Sequence, residues 1–151
     1  VFFDFGCVQN IETERRRLVL SAHQAAGCRD FDGFDVAAAE MLMVAPGRHR
    51  ARVLDYMHFA LSPVFDSPFR VTRTFATEVV ERFKAMGLEF AKMPKGEFVQ
   101  MPPGILFLNR LQFGFFSILA RLDVEVDYAA VERRFIPRGW ATLDHSGAES
   151  G

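Results

Sequence analysis

Cysteine is nearly missing from these 151 residues: Cys7 and Cys28 are the two present, and they form no Cys-x-x-Cys pair. That argues against a disulfide framework and a cysteine-based zinc site, and it suits a reducing, cytoplasmic setting. An excess of charge of either sign is missing too. With 18 basic and 19 acidic residues the formal net charge is -1, which argues against nucleic-acid binding through bulk positive charge. No uninterrupted apolar run has membrane-spanning length. The nearest, PGILFLNRLQFGFFSILARL from Pro103 to Leu122, is broken by Asn109, Arg110, Gln112 and Arg121. Charges at mid-depth in a bilayer are expensive, so this segment is predicted to be a buried helix. A repeat of fixed period is absent, which disfavours a solenoid. The N-terminus lacks the basic, apolar, small-residue order of a signal peptide, and it opens inside an apolar run, which predicts further sequence upstream of Val1.

What is present is a chain 50% hydrophobic and 25% charged, enough to bury one core. Val1 to Phe3 suit a short buried strand, and helix signals dominate after it. Asn10 is placed to cap a first helix, Glu12 and Glu14 suit its positive end, Gly27 is placed to stop it, and Leu18, Ala22 and Ala25 mark its inward face. The run from Asp30 to Asp35 reads as turn and cap before a helix from Val36 to Val44, which Pro46-Gly47 closes. Its acidic spacing does not match a calcium-binding EF-hand. A helix from Arg48 to Leu61 follows, with Val53, Leu54, Met57, Ala60 and Leu61 inward. Ser67-Pro68 is predicted to cap a long helix whose stripe is Phe75, Val79, Phe83, Met86 and Phe90. After a polar turn from Lys92 to Gln100, Pro102-Pro103 opens the most apolar helix, expected to be central, with Gly114 allowing close approach of another backbone. Asp127 caps a last helix with Tyr128, Val131 and Phe135 inward, and Ile136-Pro137 ends it. Residues 1–140 are thus expected to form one mainly α domain, a short strand and about six helices, followed by a flexible tail at 141–151.

The sharpest chemistry lies at the start. In VFFDFGCVQ a carboxylate, Asp4, ends a predicted strand, Phe5 can anchor into the core and Gly6 frees the backbone. In protein kinases an Asp-Phe-Gly triplet of this kind holds the magnesium that bridges nucleotide phosphates. Magnesium takes hard oxygen ligands, and one or two carboxylates suffice when phosphates and water complete its shell. The bland alternative is a strand ending in an aspartate-glycine turn.

Elsewhere the signals are structural. His23, His49, His58 and His145 lack metal-ligand spacing and are assigned to the surface or core edge. The arginines at 15–17 and Arg48, Arg50 and Arg52 with His49 read as solvated helix faces. The 17 phenylalanines read as core. Asn109, Arg110 and Gln112 are expected to pair with neighbouring helices.

Taken together, VFFDFGCVQ at 1–9 and PPGILFLNRLQFGFFSILARLDVEVDY at 102–128 resemble the UbiB/AarF family of atypical protein-kinase-like proteins. The resemblance runs from the triplet to about Phe135 and covers only the rear of that family's domain. It implies the C-lobe portion of a protein-kinase-like fold and a parent that binds ATP with Mg2+, as an ATPase or small-molecule kinase tied to isoprenoid quinone (ubiquinone) metabolism. Asp4 carries over as the metal ligand, with Phe5 and Gly6 as its companions at the cofactor. The family's nucleotide-contacting lysine, Lys-x-Gly-Gln motif and His-x-Asp catalytic loop would lie upstream of Val1, so no catalytic residue is assigned within these 151 residues. The implied partners are a nucleotide, the N-terminal part of the same protein, a membrane surface and a quinone precursor, with the protein cytoplasmic and peripheral to the inner membrane. The competing reading is a non-catalytic helical interaction module whose triplet is coincidental.

Overall fold

The structure, a computed structural model, describes residues 11–44, 46–92 and 105–136. The predicted strand at Val1 to Phe3, the Asn10 cap, most of the 92–100 turn, Pro102-Pro103 and the tail lie outside them. Within them the chain is mainly α, as its periodicity predicts. The helices are α1 (Thr13–Cys28), α2 (Phe31–Met41), α3 (Arg48–Ala60), α4 (Ser62–Phe65), α5 (Arg73–Ala91), α6 (Ile105–Leu122) and α7 (Tyr128–Glu132). Two-residue strands β1 (Phe69–Arg70) and β2 (Glu125–Val126) pair antiparallel, Phe69 opposite Val126 and Arg70 opposite Glu125. This small clamp ties the entry of α5 to the exit of α6.

Helix α1 buries Leu18, Ala22 and Ala26, one position from the predicted Ala25, which is half-buried. It runs through Gly27 and stops at Arg29, which takes the left-handed conformation at φ 58°. Arg29 is held there from both sides. Its N–H donates to the Ala26 carbonyl at 3.0 Å, and its Nε donates to the Phe65 carbonyl at 2.9 Å. Side-chain anchoring thus replaces the glycine that usually ends a helix in this way.

The Asp30–Asp35 run, expected to be turn and cap, supplies the cap at its first residue and is otherwise helical: α2 starts at Phe31 because Asp30 Oδ1 accepts from the Gly33 N–H at 2.9 Å. Asp30→Ala is expected to lower stability by about 1 kcal/mol in urea unfolding, and Asp30→Asn, which keeps the acceptor, to recover most of it. Alanines on α1 (Ala22, Ala26) and α2 (Ala37, Ala38) share one buried cluster, and such small side chains let the two helices pack closely. Phe34, fully buried, fills the centre of that cluster with Leu54, Val64 and Phe65.

Ser67-Pro68 does not start α5. The peptide bond between them is cis, and the Ser67 hydroxyl is engaged elsewhere: it donates to the Pro63 carbonyl at 2.8 Å and accepts from the Ala129 N–H at 3.0 Å. Thr72 is the cap instead, its Oγ1 accepting from the Phe75 N–H at 3.1 Å. The predicted α5 stripe does face inward: Phe75 and Val79 are buried, and Phe83, Met86 and Phe90 are half-buried. Phe75, Val79, Phe83 and Met86 join Tyr56, Phe116 and Ala120 in a second cluster between α3, α5 and α6, and Phe90 packs against a third made by Leu18, Met41, Leu42 and Val53.

Three expectations for the C-terminal half are corrected. Helix α6 is not buried all round: Leu111, Phe115, Ile118 and Leu122 are each more than half exposed, because only the opposite flank meets α5 and α3. Gly114 lies on the exposed side, and no atom would meet a Cβ there within 4 Å, so it mediates no close approach among the described residues. Asp127 caps α7, accepting from the Ala130 N–H at 2.8 Å, but Val131 and Phe135 are exposed rather than inward. α7 is five residues long, and its buried side is formed by Ala129. Among the described residues no helix is long and apolar enough to cross a membrane.

Candidate ligand cavity

Asp4, Phe5 and Gly6, the residues assigned to metal and cofactor, lie outside the described residues. Among the described residues no group of three or more His, Cys, Asp or Glu side chains could hold a metal ion. His145 also lies outside them; His23, His49 and His58 are half-buried at the core edge.

What the helices do build is a cavity of about 300 Å³ where α1, α2, α3, α5 and α6 meet. Each helix contributes the face its periodicity dictates. From α3 come Val53, Tyr56, Met57 and Ala60, at steps of three, one and three residues. Phe83, Met86 and Phe90 come from α5, and Leu108, Asn109 and Gln112 from α6. α1 adds Val19, Ala22 and His23, and the end of α2 adds Met41 and Leu42. Three methionines in one wall make it adaptable in shape, since thioether chains turn freely.

No Asp, Glu, Lys or Arg lines the cavity among the described residues, and no Ser, Thr or Cys. The wall therefore offers neither a charged partner nor a nucleophile. Its polar groups are few and placed differently. At one edge His23 sits with Nδ1 at 3.0 Å from both oxygens of Glu132. His49 meets the Phe90 ring edge-on, centroids 5.8 Å apart. Gln112 Nε2 donates to the Ala60 carbonyl at 3.5 Å, the long limit of a hydrogen bond. This is the pairing with a neighbouring helix that was expected of Gln112. Asn109 is half-buried in the wall, whereas Arg110 is exposed.

Tyr56 is different in kind. It is 4% exposed, its ring lies 5.6 Å from that of Phe83, and its hydroxyl is buried with no hydrogen-bond partner among the described residues. Burial pushes its phenol pKa well above the ordinary tyrosine value, so the hydroxyl stays a donor. Buried polar groups are rarely left unpaired in folded proteins, and the packing that leaves this hydroxyl unpaired also closes it off from the open space of the cavity.

A second arrangement is more ordinary. His58 Nε2 lies 2.6 Å from Asp35 Oδ1, and the ring is flanked by Phe31, Phe34 and Phe65. A histidine-carboxylate pair is part of a catalytic triad only if a nucleophile reaches the ring. The neighbouring Ser62 hydroxyl instead donates to the backbone carbonyl of His58, at 3.4 Å. The pair ties α2 to α3.

The cavity has to be judged by its own geometry. Comparison of the chain with protein-family models, with curated proteins and with solved structures finds no match.

Tyr56 was not singled out from the sequence. The available signal was compositional: with 17 phenylalanines and only 2 tyrosines, a phenol on an inward stripe is an exception that asks for a partner. Both tyrosines, Tyr56 and Tyr128, bury a hydroxyl with no partner among the described residues.

Proposed function

We propose that this chain is the C-terminal helical lobe of a UbiB/AarF-like kinase-like protein. The parent would bind ATP with Mg2+ through Asp4, and act as an ATPase or small-molecule kinase in isoprenoid quinone metabolism, cytoplasmic and at the edge of the inner membrane. The observation that carries the reading is the order of elements. Behind the Asp-Phe-Gly triplet the described residues are helix after helix, with one two-residue strand pair among them, which suits the rear of such a lobe. The helical segment carrying Asn109, Arg110 and the Ala120-Arg121-Leu122 ending forms a single helix, α6.

The donor set fits magnesium in a limited sense. Asp4 is one hard oxygen ligand, which suffices only beside nucleotide phosphates, water and a second donor from upstream sequence. Phe5 would anchor the triplet and Gly6 would let it turn. Exclusion of charge from the cavity also suits a protein that handles a prenylated, uncharged substrate.

Asp4→Asn in the full-length parent is the test. Mg2+-dependent binding of a fluorescent ATP analogue is expected to weaken at least about tenfold, or 1.4 kcal/mol, with little change when Mg2+ is chelated. A non-catalytic helical module would show no nucleotide effect in either condition, and that result would refute the kinase-like reading.

A further inference from the structure

We infer that the cavity where α1, α2, α3, α5 and α6 meet is a binding site for a small, uncharged, aromatic molecule of about two rings, selected by the volume of the space and the apolar character of its wall. The inference needs neither Asp4 nor a nucleotide, so it goes beyond the reading above and can fail or succeed separately.

Size comes first. Protein interiors are close-packed, and voids larger than a water molecule are few. At about 300 Å³ this one is twice the ~150 Å³ that accommodates benzene in an engineered protein core, so a two-ring body of about a dozen non-hydrogen atoms fits. The cavity is partly open to solvent, which lets a ligand enter without unfolding the chain. Water suits the space poorly. Each buried water needs about three hydrogen bonds, and of the few polar side chains in the wall Gln112 already donates to the Ala60 carbonyl and His23 is engaged by Glu132. Charge is excluded as well. No Asp, Glu, Lys or Arg lines the wall among the described residues, so a phosphate, carboxylate or ammonium group would be desolvated there without a counter-ion. What the wall offers is contact. Met41, Met57 and Met86 bring thioethers that adapt to an outline and pack well on aromatic rings, and Phe83 and Phe90 add ring surface of their own. The exposed stripe of α6, Leu111, Phe115, Ile118 and Leu122, is a competing apolar surface, but the outside of a helix is convex and touches a ligand on one side.

The experiment compares 2-isopropylnaphthalene with 2-naphthoate, which has the same shape and carries a charge, on the full 151-residue chain at neutral pH. With 13C-methyl methionine labelling, Met41, Met57 and Met86 report from the wall itself. Saturable shifts of these methyl signals, with nuclear Overhauser effects to the naphthalene ring protons, are expected for the hydrocarbon. The carboxylate should bind at least about tenfold more weakly, for want of a counter-ion. Met86→Phe, which reduces the space, should weaken the hydrocarbon about tenfold. Its fold is checked beforehand by circular dichroism, and Met41 and Met57 still report. Replacing Leu111 and Phe115 together by serine, which breaks the α6 stripe, should leave the affinity unchanged. If the hydrocarbon gives no saturable shifts in the wild-type chain, the site does not exist. If the carboxylate binds as tightly, the assigned ligand class is wrong. If the paired α6 substitution abolishes binding, or the ring protons show no Overhauser effect to the wall methyls, the ligand sits on the surface stripe and the inference falls.

Discussion

Phe34→Ala is expected to destabilise the chain by about 3–5 kcal/mol, measured by urea unfolding followed by circular dichroism. Phe34 is 0% exposed and joins α2 to everything around it. Its ring stands edge-on to Phe65 with centroids 5.0 Å apart and tilts against His58 at 4.8 Å. Removing it opens a void in a buried cluster that includes Ala26, Ala37 and Ala38, which have little side chain to collapse inward. Aromatic contacts are lost in addition to the buried area. Since whole domains are stable by about 5–15 kcal/mol, the loss takes a large share of what holds this fold together. Phe31→Ala is the control. Phe31 stacks on the same Phe65 ring at 5.0 Å but is 55% exposed, so its removal leaves no cavity and is expected to cost about 1 kcal/mol. Similar losses for both substitutions would mean that Phe34 is not the centre of the packing.

The second large effect is set by pH. Tyr56 and Tyr128 both have phenol pKa values raised by burial, Tyr56 by far the more. In the unfolded chain a tyrosine loses its proton near pH 10, whereas the folded chain holds the Tyr56 proton beyond that. Above pH 10 the unfolded state therefore binds fewer protons than the folded one, and stability falls as pH rises. The contribution is complete below about pH 10, and its loss has a slope of about 1.4 kcal/mol per pH unit above it until the folded group itself ionises. Urea midpoints measured between pH 9 and 12 should be flat and then drop. In Tyr56→Phe most of the drop attributable to this residue should vanish. The same variant should be as stable as the wild-type chain at neutral pH, or more so, because it removes an unpaired buried hydroxyl. A marked loss at neutral pH would show that the hydroxyl has a partner in the fold.

The sequence alone determined the α class and the inward stripes of α3 and α5. Val53, Leu54, Met57 and Ala60, and then Phe75, Val79 and Phe83, recur at the three- and four-residue steps of a helix, and hydrophobic burial acts on that spacing directly. Asp30 and Asp127 were legible as caps because a short carboxylate satisfies helix N–H groups within its own few residues. Tertiary structure decided the rest. Gly27 looked like a stop, but Arg29, held by the Phe65 carbonyl 36 residues away, ends α1. Ser67 looked like a cap, but its hydroxyl serves Ala129 across the fold. α6 is apolar on most sides, yet which of those sides is covered depended on where α3 and α5 came to rest. The cavity is of this second kind. Its wall gathers side chains from five helices, and the unpaired hydroxyl at Tyr56 is a relation between distant residues, which no local pattern records because packing alone brings them together.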